Sequence, residues 1–393
     1  MTLTFDIVQT LGIAVLVFGL GRLIKNKVPL FKKYFIPAPV IGGIIFSTLA
    51  YIVFSMFNVS LKMDNVLQDF FMNIFFTAIG FSVSFKLILK SGKQGAILAV
   101  VAVILLFIQN GVGAGLASLF GLNPLLGVSM GSVSMSGGVG SAAAFGPTFE
   151  SLGAEAATTV GVAAATFGLF VGSLVGGPVA KRLIDRYKLK SEFADKKTIE
   201  KESDKLVSSE GNIFNTILVI LLAAAGGTFI SYLLSLTGLT FPYYVGCLFG
   251  GTVARNLADS GYFKIREKEV SLISNVALNL FLSMTLMSLN IAKLIGLAIP
   301  MLVILLTQTI VMMVYAYYIT FGSMGKSYDA AVMAAGHCGV GLGQTPNAIA
   351  NMASVIEEHG AAPNAWFVLP VITVVFINIF NPLVITYFMN LLS

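Results

Sequence analysis

Residues 127–146 read GVSMGSVSMSGGVGSAAAFG, and residues 330–351 read AAVMAAGHCGVGLGQTPNAIAN. Both stretches are apolar enough to enter a bilayer. Yet Gly137-Gly138-Val139-Gly140 and Gly339-Val340-Gly341-Leu342-Gly343 each disfavour helix by ~1 kcal/mol per glycine. Continuous helix is therefore not expected in either stretch, and each reads as a re-entrant hairpin with an unwound tip, near 124–148 and 328–352. A backbone turn at membrane depth must be buried in protein or line a wet cavity, because an unsatisfied peptide group in lipid is costly.

The rest of the chain makes a membrane setting unavoidable. Of 393 residues 56% are hydrophobic and 11% charged, against roughly a quarter charged in an average soluble domain. Apolar runs of the ~20 residues that a spanning helix needs recur near 5–22, 39–57, 70–86, 95–120 and 156–181. They continue near 213–236, 242–256, 270–289, 293–321 and 364–392. The first run has no positive charge before it and Arg22, Lys25 and Lys27 after it, the reverse of a signal peptide, so an uncleaved first span is expected. The net charge of +6 sits in short loops without aromatic interleaving, which argues against nucleic acid. Two cysteines, Cys247 and Cys338, make neither a disulfide framework nor a zinc site.

Elements recur at an offset of about 200 residues. Pro37 matches Pro242, Asn73-Ile74-Phe75-Phe76-Thr77 matches Asn279-Leu280-Phe281-Leu282-Ser283, and Gln109 matches Gln308. Five spans per half is an odd number, so the copies must be inverted in the membrane, the plan of many secondary transporters. The expected fold is an all-α polytopic membrane protein of two inverted repeats of five transmembrane helices, each with a re-entrant hairpin. Residues 1–185 form the first repeat, 186–212 a charged cytoplasmic linker, and 213–393 the second repeat. With both termini outside, all of the 24 Lys and Arg residues except Lys62 and Lys293 fall on or beside the inner side, as the positive-inside rule requires.

The hairpin tips are where chemistry is expected. Broken helices leave free N–H groups that attract anions and free C=O groups that attract Na⁺. Glycine turns also serve close helix packing, and Ser or Thr also bond to their own helix, so each residue has a plain reading beside the functional one. Substrate-binding candidates are Ser136, Gly137, Gly138, Gly140 and Ser141 in the first hairpin, with Gly341, Gly343, Gln344, Thr345 and Asn347 in the second. Sodium-binding candidates are Asp329, Ser134, Thr166, Gly339, Asn378 and Asn381, the last two being three apart and so on one helical face. Asp329 has a second reading as an interfacial N-cap of the hairpin's first helix. Gln109, Asn110 and Gln308 either support the site or bridge helices. Arg255 reads as an arginine snorkelling to the inner interface, and His337 as a core histidine, since no further ligands stand at metal spacing.

Several motifs resemble the bacterial glutamate:sodium symporter family over nearly the whole length. They are Ala165-Thr166-Phe167-Gly168-Leu169, Gly176-Gly177-Pro178-Val179-Ala180, Tyr328-Asp329-Ala330-Ala331-Val332 and Ala335-Gly336-His337-Cys338-Gly339, followed by Gly341-Leu342-Gly343 through Thr345-Pro346 and Ala348-Ile349-Ala350-Asn351-Met352. The resemblance implies Na⁺-coupled uptake of L-glutamate across the bacterial cytoplasmic (inner) membrane, with ten spans, two re-entrant hairpins and both termini outside. Its glycine-rich hairpin motifs fall on Ser136, Gly137, Gly138 and Gly140, then on Gly339, Gly341 and Gly343. Where the family's first hairpin commonly shows a histidine, this chain has Val139.

The expected activity is symport by alternating access, elevator-like, with Na⁺ as coupling ion, no cofactor and no other metal. A homodimer in the lipid bilayer is expected. The rivals are a Na⁺- or H⁺-coupled transporter of another organic anion such as aspartate or a di- or tricarboxylate, a passive channel, and an intramembrane enzyme. No positioned acid, base and nucleophile emerge for the last.

Overall fold

The computed structural model describes residues 2–191, 210–289 and 292–393, so residues 192–209 of the expected linker lie outside the described residues. The first half begins with α1 (Ile7–Lys27), α2 (Pro29–Lys33), α3 (Ala38–Phe57), α4 (Val66–Gly80), α5 (Phe85–Lys90) and α6 (Gly92–Leu119). Then come the short α7 (Pro124–Ser129) and α8 (Ser132–Met135), α9 (Gly138–Ser151) and the long α10 (Ala157–Tyr187). The second half runs α11 (Glu210–Ser235), α12 (Tyr244–Asp259), α13 (Glu267–Met287), α14 (Ala292–Ile295) and α15 (Ala298–Tyr315). It ends with α16 (Phe321–Ser323), α17 (Tyr328–Gly341), α18 (Thr345–His359) and α19 (Pro363–Leu392). Among the described residues nine helices are long and apolar enough to cross a membrane.

The structure is thus that of an all-helical, multi-pass membrane protein, with two local departures from expectation. The seventh expected span is α12, whose 16 residues include Arg255 and Asp259. At 1.5 Å per residue it covers about 24 Å, short of a ~30 Å hydrocarbon core. The ninth is interrupted by a π-helical segment, Ala316–Thr320. The only strands described, β1 (Thr2–Thr4) and β2 (Ser60–Lys62), form a parallel pair. Since β1 precedes α1 and β2 follows α3, these two helices must run out and back.

Local chemistry explains the boundaries. A capping box starts α1, with Asp6 accepting from Gln9 N at 2.8 Å and Gln9 accepting from Asp6 N at 3.1 Å. Lys25 and Lys27 close it on the side favoured by the helix dipole. Contacts between distant loops sort into two ends of the molecule. At one end lie the β1–β2 pair, the 2.8 Å Lys293–Glu155 ion pair, and the Thr240–Asn390 bonds. That lysine holds the Glu155 carboxyl below its usual range. At the other end Ser191 donates to Ala361 O at 2.6 Å, Ser84 donates to Asp259, and Lys181 faces Glu358.

Helix α10 spans this distance, 31 residues and about 46 Å, and positions both helix–turn–helix segments. Ser134 at its hydroxyl bonds Gly161 O at 2.7 Å, near the start of α10. Asn347 Nδ2 donates to Leu169 O at 2.7 Å and Asn351 Nδ2 to Gly172 O at 2.8 Å, further along. At Gly168 the two segments meet, because a Cβ there would clash with Leu342 O and lie 3.3 Å from Met135 Cε. The turn after α8 and the turn after α17 therefore lie together near the middle of α10.

Candidate functional site

Each glycine-rich stretch interrupts its helix, by different means, although Gly138–Gly140 fall in α9 and Gly339–Gly341 in α17. In the first, α8 stops at Met135, Ser136 and Gly137 stay near helical angles, and Gly138 reverses the chain at φ +69°, a conformation that disfavours any side chain. In the second, α17 ends at Gly341 and Gln344 is extended (φ −148°, ψ 172°) before α18 begins. The turns touch: a Cβ at Gly138 would lie 2.6 Å from Gln344 Nε2.

Gln109 of α6 ties the turns together. Its Oε1 accepts from Ser136 Oγ at 2.8 Å while its Nε2 donates to Gly341 O at 2.6 Å. Gln308 of α15 donates to Gln109 O at 2.7 Å, and Asn110 accepts from Ser132 N at 2.8 Å. These amides bridge helices at the two turns themselves.

Beside the turns is a cavity of ≈ 260 Å³, room for several waters at ~30 Å³ each or one small organic anion in their place. The first turn contributes Ser136, Gly137, Gly140 and Ser141, and the second Gln344 and Thr345. Asn378, Asn381 and Pro382 of α19 form another wall, and Phe75, Phe76 and Leu278 face them from α4 and α13. Pro382 has no N–H, so the Asn378 carbonyl loses its helical donor at the cavity. Among the described residues no charged side chain lines this space. Its polarity comes from hydroxyl and amide side chains and from backbone: α9 and α18 both start at the turns, and neither is capped by a side chain. A helix N-terminus with free N–H groups favours an anion.

Residues 3–361 match the sodium/glutamate symporter family. The chain belongs to that family. It is 40% identical over 392 residues to a sodium/glutamate symporter of Escherichia coli (strain K12), covering 98% of both chains. It is 36% identical over 389 residues to that of Haemophilus influenzae, covering 97% of this chain and 96% of the relative.

In this symporter-family chain the other site candidates lie outside the cavity lining. Gly138, Gly341 and Gly343 shape the turns, and Gly339 lets α18 approach α17 at Ala348. Asn347 Nδ2 is held by Leu169 O and by Ser173 Oγ at 2.6 Å, leaving its buried Oδ1 without a partner among the described residues. A Cβ at Gly343 would lie 3.0 Å from Gly339 O and 3.2 Å from Asn347 Oδ1, so these oxygens converge on one gap. Ser134 bonds α10 rather than the cavity, and Thr166 bonds its own helix at Val162 O.

Asp329 sits at the start of α17, about 18 Å along the helix from the turn. Its Oδ1 accepts from Ala365 N at 2.9 Å, so it caps α19, while Ser327 caps α17. His337 is buried against Thr320 Oγ1 at 2.8 Å and edge-on to Tyr315, away from the turns. Arg255 does not snorkel: its side chain is 11% exposed and bonded to Phe81 O, Asp259 and Glu267. The aromatic wall from Phe75 and Phe76 escaped the sequence reading because only its repetition, not its facing, is visible in one dimension.

Proposed function

We propose that the chain takes up L-glutamate together with Na⁺ across a bacterial cytoplasmic membrane by alternating access, with an elevator-like motion. Family membership supports the coupled substrates, and one observation supports the mechanism: two uncapped helix N-termini and two broken helix C-termini face a single uncharged cavity. The N–H groups of Gly140, Ser141 and Thr345 with the side chains of Ser136 and Gln344 hold the carboxylates. The gap between Gly339 O and Asn347 Oδ1 takes the cation, with Asn378 and Asn381 facing the cavity from α19. Cation binding beside the anion offsets its charge where no side chain does so.

The repeats 1–185 and 213–393, joined by 186–212, belong to the same proposal. Residues matched between the halves meet each other: Gln308 bonds Gln109, and Phe75 and Phe281 stack at 6.5 Å. Residues near a pseudo-two-fold axis must do so. With ten spans and both termini outside, the hairpins enter from opposite faces and Lys and Arg collect inside.

Packing supports the moving parts. Among α1, α3, α4 and α11–α13, backbones interlock, as where Gly80 meets Leu248 O and Gly251 meets Thr77 O. Among α6–α10, α15 and α17–α19 they interlock again, as where Gly127 meets Gly113 O. Across the boundary Gly140 instead meets the Phe75 ring at 3.1 Å and the Leu278 methyl at 3.6 Å. Side-chain surfaces can slide where interlocked backbones cannot. A homodimer joined through the first, stationary group completes the proposal.

Purified protein in proteoliposomes is expected to accumulate labelled glutamate when Na⁺ is imposed outside, and to lose accumulation when K⁺ replaces it. Equilibration without accumulation would instead mark a passive pore. Val139, which lines the cavity in place of the histidine that the resemblance implies, keeps a related acid in view. Stronger competition by aspartate or a di- or tricarboxylate than by glutamate would shift the substrate assignment to it.

A further inference from the structure

A second cavity of ≈ 500 Å³ shares Ile79, Val374 and Asn378 with the central one, so the two adjoin each other. It extends toward the end where Ser84 meets Asp259. The charged side chains in its lining are Arg255 of α12 and Glu267 of α13.

The guanidinium is held unequally. Nε donates to Asp259 at 3.1 Å, and Nη1 donates to Phe81 O at 3.2 Å and to Glu267 at 2.8 Å. Nη2 donates to no group among the described residues. Asp259 is 21% exposed and also accepts from Ser84, so that arm is fixed. Glu267 is 72% exposed, and an ion pair this open is weakly held. One carboxylate on Arg255 is thus structural and the other exchangeable, while a guanidinium edge suits bidentate capture of a carboxylate.

We propose that Arg255 is a transit site for a substrate carboxylate between the central cavity and the basic end, with Glu267 as the tethered carboxylate that displaces it. This rests on the transport of an acidic substrate proposed above. An anion leaving the uncharged cavity meets a cation on its way out. That cation alone would retain it, and Glu267 restores release by replacing one carboxylate with another.

The test is Glu267→Gln, an exposed change that leaves the Asp259 and Phe81 contacts in place. Glutamate exchange is measured in membrane vesicles of both orientations. The half-saturation concentration from the basic side is expected to fall about fivefold, with slower turnover, while that from the opposite side stays as in the unaltered protein. If Arg255 only ties α4 to α12, the basic-side value does not move, and the proposal is overturned. Failure of the unaltered protein to exchange glutamate overturns the glutamate assignment instead. The same two-sided comparison is then made with the acid that competes best, and it decides the role of Arg255 by the same criterion.

Discussion

Proteoliposomes carrying Gln109→Leu are expected to take up glutamate about 30-fold more weakly, with the protein still folded. Leucine matches the size of Gln109 but strips the Ser136 hydroxyl of its acceptor and the Gly341 carbonyl of its donor. Each buried polar group left unsatisfied costs ~1–3 kcal/mol. The lower bound for two such groups, ~2 kcal/mol, is the 30-fold factor. The loss should appear mainly in substrate affinity, because both turns that form the cavity lose their common anchor. Gln308→Leu is the control. It removes only a brace to Gln109 O, an interhelical bond worth ~0.6 kcal/mol on average in membranes, so its uptake should fall less than threefold. Equal effects of the two changes would mean that Gln109 acts as ordinary helix packing.

A thiol-specific bridge between Tyr34→Cys and Phe170→Cys, in a background with Cys247 and Cys338 replaced, is expected to stop exchange while leaving Na⁺-dependent glutamate binding intact. The rings of Tyr34 and Phe170 lie 4.4 Å apart; Phe170 is on α10 of the second interlocked group, Tyr34 is in the segment that leads into α3 of the first, and neither lines the cavity. Locking them therefore restrains relative movement without touching the ligand. Exchange that continues at the rate of the unbridged protein would exclude sliding between these groups, whereas loss of binding as well as exchange would point to distortion of the site.

The positions of the two turns were legible from glycine alone, since Gly137-Gly138 and Gly341-Leu342-Gly343 stand where α8 and α17 end. Periodicity likewise located the long helices. What it missed lies in the third dimension. The bond from Asn347 to Leu169 joins residues 178 apart, and nothing along the chain marks which helix an asparagine faces. Asp329 shows the same limit: an N-cap motif was readable, but the helix it caps is α19 rather than its own. Arg255 followed an apolar run and so read as interfacial. Its burial depends on Phe81, Asp259 and Glu267 closing around it, and only the fold assembles that set. The π-helical segment at Ala316–Thr320 left no compositional trace, and neither did the contact of its last residue, Thr320, with His337.

Under the proposed function, two helix turns meeting near the middle of α10 hold an anion and its companion cation. A density map of the protein in lipid nanodiscs with L-glutamate and Na⁺ tests it most directly. Density for the amino acid between the Gly138 and Gln344 turns, with a smaller feature between Gly339 O and Asn347 Oδ1, is the predicted result. Ordered glutamate elsewhere, with the space between the turns unchanged, would contradict it.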